Sequence, residues 1–201
     1  MGPRMTRSDI WSDRLLRIVN GEATSAHIES WVDASWRDGQ VVHTVPQRTL
    51  DQLPTSGRPV SRYGDSGILR SEVCFTYSHG PGGVVVHTPP MAVWSRVSLL
   101  YCVEPHVHRN PHVTVVLRGE SYFFIACNED GHSGVIQVAV RPGHVLLCPA
   151  GVAHTFGGRG SAFTVLSIQS RFIDPSQADF ARRVSVFDGL PLVARDVGLA
   201  S

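Results

Sequence analysis

Residues 105–119 read PHVHRNPHVTVVLRG and residues 143–156 read GHVLLCPAGVAHTF. These two stretches decide the fold. In an extended chain alternate side chains point the same way, so His106 and His108 share a face. Pro105 supports extension, because the residue before a proline is pushed away from the helical region. A turn at Arg109-Asn110-Pro111 returns His112 beside the pair, or leaves it at a solvent-facing turn. The run VTVVL that follows is rich in β-branched residues, which pack well on a pleated surface. In the second stretch Gly143 and Gly151 suit tight turns, and His144 to Cys148 form a short strand between them. His154 and Phe156 then alternate inward on the next strand. A sheet closed on itself is the simple way to bring His154 over the first three histidines.

Histidine side chains so placed point to a metal ion. Neutral imidazoles suit Fe(II), Ni(II), Zn(II), Cu(II) and Co(II). Four of them, His106, His108, His112 and His154, add no negative charge and leave the ion its full 2+. A six-coordinate ion keeps two open positions, whereas a zinc closed by all four is a structural site. We expect one divalent transition metal, with Fe(II) preferred and Zn(II) or Ni(II) as alternatives.

The chain resembles the cupin superfamily. The second motif of that family, G-x5-P-x-G-x2-H, is matched by Gly143, Pro149, Gly151 and His154. Its first motif, G-x5-H-x-H-x3-E-x6-G, is matched by His106, His108 and Gly119. Leu100 stands at the leading glycine, His112 at the glutamate, and Gly158 where an asparagine often follows the last histidine. The resemblance covers roughly residues 84–170. It implies an all-β, cupin-type antiparallel β-barrel (a double-stranded β-helix, or jelly roll). It implies metal binding less specifically, and no one reaction, because the family spans dioxygenases, isomerases, lyases, cyclases and storage proteins. A four-histidine set is similar to that of a zinc-using cyclase in the family. With histidine at position 112 the usual carboxylate ligand cannot serve as a base.

Composition narrows the field. At 201 residues the chain holds one sizeable core, or one core with an arm. A net charge of +1 gives no field to steer nucleic acid. There is no apolar run long enough to span a membrane and no apolar leader at the N-terminus. All 18 basic residues are arginine, so no lysine can form a Schiff base. Cys74, Cys102, Cys127 and Cys148 are widely spaced and read as buried free thiols of a reduced, cytoplasmic protein. Cys148 alternates with Leu146 and so points inward, where we read a core thiol rather than a ligand.

Residues 1–67 form an N-terminal helical arm and loop, and residues 68–201 the barrel. Helical spacing runs over 8–19, capped by Ser8 or Asp9, and over 25–36. Trp11, Trp31 and Trp36 read as core or interface, and His27 as surface. Residues 40–45 are a short strand and Thr49 opens a helical turn. Strands follow over 69–77, 84–88 and 91–103. The ladder continues over 121–127 and 135–140, with a turn between them, and over 162–169. His144 is expected to be external and His132 exposed. Residues 177–184 are expected to form a short C-terminal helix.

Glu104 lies two residues before His106. In an unbroken strand it shares the histidine face, as a partner that orients an imidazole or as a substrate base. Tyr122, Phe124 and Phe156 are candidates for an aromatic substrate pocket; they also read as ordinary barrel core, Tyr122 and Phe124 more so than Phe156. The reading with Fe(II) is a dioxygenase acting on a small enolisable or aromatic metabolite. The alternative is a non-redox cyclase, isomerase or lyase that uses zinc or another divalent ion, and a third is a ligand-binding protein without catalysis. A small-molecule substrate and a homodimer are expected, with no nucleic acid and no membrane as partners.

Overall fold

The computed structural model describes residues 6–20, 22–53, 58–59, 73–77, 84–88, 106–129, 132–157, 164–170, 182–183 and 192–193. Two helices open the chain, α1 (Arg7–Val19) and α2 (Ser25–Arg37). Each starts on a reciprocal cap. Thr6 accepts from the Asp9 backbone N–H while the Asp9 carboxylate accepts from Thr6. Thr24 and His27 repeat the arrangement, with His27 Nδ1 accepting from the Thr24 N–H. The cap of α1, Thr6, lies two residues before the expected Ser8 and three before Asp9, because the threonine three residues before Asp9 closes the box.

Beyond these two helices the regular elements among the described residues are strands and one helical turn, α3 (Gln47–Leu50). The strands are β1 (Val42–Thr44), β2 (Arg58–Pro59), β3 (Val73–Tyr77), β4 (Val84–Thr88), β5 (His106–Val107) and β6 (His112–Arg118). They continue as β7 (Ser121–Glu129), β8 (His132–Val140), β9 (His144–Cys148), β10 (His154–Gly157) and β11 (Thr164–Gln169). Two short pairings complete the set, β12 (Arg182–Arg183) and β13 (Leu192–Val193). The expected β7–β8 turn is tighter than the sequence suggests, since pairing runs out to Glu129 opposite His132.

The pairing corrects the barrel expectation. Among the described residues the strands form two open sheets, one ordered β1-β9-β6-β11-β4-β3-β2 and the other β12-β5-β10-β7-β8-β13, and neither closes on itself. The second sheet is also not wholly antiparallel, because β13 runs parallel to β8. Period-2 alternation is the same in a closed barrel and in two stacked sheets, so the sequence pattern that suggests closure does not require it. The C-terminal helix expectation is corrected at Arg182 and Arg183, which pair with β5 instead. An unpaired strand edge offers a row of backbone donors and acceptors, and these residues meet that need. The rest of 177–184, and the strand expected over 91–103, lie outside the described residues.

The two sheets share one apolar filling. Val42, Val116, Leu146, Cys148 and Val165 of the first meet Phe123, Ile125, Ile136, Val138 and Phe156 of the second. On its other face the first sheet presents Val113, Val115, Val145, Leu147, Leu166 and Ile168 to Trp11, Leu15, Ile18, Ile28 and Val32 of the helices. The order is therefore helices, first sheet, second sheet. Arg14 lies over both Trp11 and Trp31, at 4.8 and 5.2 Å from the ring centres. The helices shield one face of the first sheet, which leaves its opposite face for the histidines.

Candidate metal centre

His112 begins β6, on the face it shares with Thr114 and Val116, which turn toward the second sheet. In the second sheet His154 of β10 stands directly opposite His106 of β5. His108 follows in the bend after β5, and its carbonyl accepts from the Gly151 N–H at 2.9 Å. That bond ties the first histidine stretch to the turn that delivers His154. Gly151 takes a left-handed φ of 73° there, which costs a glycine no steric strain.

The four imidazoles converge. Ring centres lie 4.9 Å apart for His106 and His108, 4.6 Å for His106 and His154, 4.6 Å for His108 and His112, and 4.7 Å for His112 and His154. All four side chains are buried, between 2 and 6 % exposed. Two overlapping triplets place one ligand atom per residue within 4.8 Å of one another: His106, His108 and His154, and His112, Cys148 and His154. The cluster is able to coordinate a divalent metal ion. The donor chemistry fits a borderline or soft first-row ion.

The electrostatics agree. Burial, with His106 and His112 close by, holds the His154 imidazole well below the usual histidine range, so it is neutral at neutral pH. Its Nδ1 lies 2.9 Å from the Val152 carbonyl, which can only accept. The proton is therefore on Nδ1, and Nε2 carries the free lone pair for a metal. Burial pushes the Cys148 thiol up, so without an ion it stays protonated.

The other candidates fall as follows. Phe156 is on the histidine face of β10 and packs against Phe123 at 5.2 Å. Tyr122 and Phe124 lie on the opposite face of β7, in a cluster with Val135 and Ala153. Phe123 and Ile125, between and beyond them, are the β7 residues on the histidine side; Phe123 is 6.2 Å from His154. Glu104 lies outside the described residues. His144 is not external: it is 3 % exposed, on the same face of β9 as Leu146 and Cys148, with neither ring nitrogen hydrogen-bonded. Cys148, read from the sequence as a core thiol, is fully buried in the core between the sheets, with its sulfur near His112 and His154. It pairs directly with His112, and its alternation with Leu146 is the sequence signal for that inward placement.

Residues 101–201 match the Cupin family, and the chain belongs to it. The family's usual glutamate ligand is replaced here by His112. No curated protein is significantly similar. Among solved structures the chain is similar to the vicilin from Solanum melongena, at 27% identity over 43% of this chain and 22% of that one, with a TM-score of 0.34. It is also similar to the DMSP lyase DddQ from Ruegeria pomeroyi, at 20% identity over 48% of this chain and 45% of that one, with a TM-score of 0.35. A third is AerE from Microcystis aeruginosa, at 13% identity over 48% and 39% of the two chains, with a TM-score of 0.36. The chain spans less than half the length of each of these proteins.

Proposed function

We propose that this protein is a metal-dependent cupin enzyme performing non-redox chemistry, as a lyase, isomerase or cyclase, on a small enolisable or aromatic metabolite. His106, His108, His112 and His154 would hold one divalent ion. The observation that carries the reading is the convergence of four buried imidazoles with no carboxylate in the cluster among the described residues. An ion bound there, with no carboxylate ligand from the cluster, would stay positively charged and polarise a carbonyl oxygen as a Lewis acid. The chain's own residues do the rest. Val152 fixes the His154 tautomer, the apolar walls from Phe123, Ile125 and Phe156 exclude water, and Glu104 is the candidate to move a proton from its position two residues before His106.

Cys148 favours non-redox chemistry over the iron(II) dioxygenase reading. Its sulfur lies within 4.8 Å of the ligand atoms of His112 and His154. A thiol so near an oxygen-activating iron is exposed to oxidation toward sulfenic and sulfinic acids. Zinc at the same ligands carries no such hazard. The test is turnover of enolisable and aromatic substrates by protein loaded with Zn(II), under nitrogen. Product formation without oxygen is expected. Turnover that appears only with Fe(II) and consumes dioxygen would overturn the reading in favour of the dioxygenase.

A further inference from the structure

We propose that Cys148 is itself a ligand of the metal, so that the centre is a histidine–thiolate site and not an all-histidine one. The inference rests on the metal-dependent reading above and deepens it. Cys148 is fully buried on β9, and its register partner across the sheet is His112. Antiparallel partners on one face stand side by side, so their side chains project together toward His154. The sulfur and the two imidazole donors lie within 4.8 Å of one another. A tetrahedral ion with metal–nitrogen bonds of about 2.0–2.1 Å and a metal–sulfur bond of about 2.3 Å needs ligand separations of roughly 3.3–3.6 Å. Small side-chain rotations close that difference.

His154 belongs to both triplets. One ion bound by His154 can therefore draw on His106 and His108 from one side and on His112 and Cys148 from the other. On binding, the Cys148 S–H bond breaks, the proton leaves to solvent, and a sulfur lone pair forms the coordinate bond. No electrons are transferred. The thiolate lowers the charge of the site from 2+ to 1+ and selects a thiophilic ion, zinc or cobalt, over a hard ion that prefers oxygen.

Cobalt(II) reports the ligand directly. Titration of the metal-free wild-type protein with Co(II) should produce a sulfur-to-cobalt charge-transfer band in the near ultraviolet. Cys148→Ser and Cys148→Ala should lose the band and bind Co(II) more weakly, still through the histidines. Because both variants alter a packed position, X-ray absorption of the Zn(II)-loaded wild type supplies a second measurement. It should show a sulfur scatterer at about 2.3 Å. Cobalt binding without the band, with only nitrogen and oxygen around zinc, would overturn the thiolate and leave the histidine centre standing. Failure of the wild type to bind either ion would overturn both.

Discussion

Individual residues fix the geometry of the centre before any metal arrives. Gly143 is one of them. Its φ of 92° is left-handed, and a Cβ there would meet the Val45 carbonyl oxygen at 2.7 Å. Its own N–H donates to Val116 and its carbonyl accepts from Val45, so the backbone cannot move aside cheaply. Gly143→Ala should destabilise the fold by about 2–3 kcal/mol, seen as a lower urea midpoint. Gly151→Ala meets no atom within 4 Å and should cost less, about 1 kcal/mol. A second residue reports on pH. Burial, then the charge of Arg14, lowers the His43 pKa to about 4. The unfolded chain binds a proton on His43 below about pH 6.5, and the folded protein does so only near its lower value. The native state therefore binds fewer protons, and stability falls as pH drops from about 6.5 toward 4. His43→Gln should flatten that loss in metal-free protein, and an unchanged slope would contradict it. At this scale the four histidines were legible, since alternation and motif spacing are local. The company they keep was not. Whether Tyr122 or Phe123 faces His154 depends on which residue of β10 pairs with which residue of β7, and spacing within one strand does not carry that.

At the scale of elements, the helices and most strands follow from periodicity and caps. The apolar spacing of Trp11, Leu15 and Ile18 marks the buried side of α1, and those residues lie on the first sheet as that spacing requires. Trp11→Ala should cost about 3–5 kcal/mol, because it removes a fully buried ring from the helix–sheet seam. Calorimetry of the folded variant checks this. Metal affinity measured on the same sample should change little, since the helices cover the face of the sheet opposite the histidines. The pairing of β6 with β9 illustrates what the sequence hides. It sets His112 beside Cys148 and turns His144 inward with Leu146. A histidine next to a glycine turn looks like a surface residue until the phase of its strand is known.

For the whole molecule, the family was legible in two motifs, and sheet closure was not. Alternation shows only that each strand has two unlike faces. Whether those faces curl into one barrel or stack as two sheets is decided by edges such as β1 and β12, a few residues long. The centre bridges the two sheets, with His112 and Cys148 on one and His106 and His154 on the other. An ion bound there ties them together and stabilises only the folded state. A free concentration about 100 times the dissociation constant should add about 2.7 kcal/mol, read as a higher melting temperature that a chelator reverses. The most direct test of the central claim is elemental analysis of protein purified without added metal, for the wild type and for His112→Ala. The convergence of the histidines predicts about one first-row ion per wild-type chain and a clear loss in the variant. Folded wild-type protein that carries no metal and takes up none on reconstitution would contradict it.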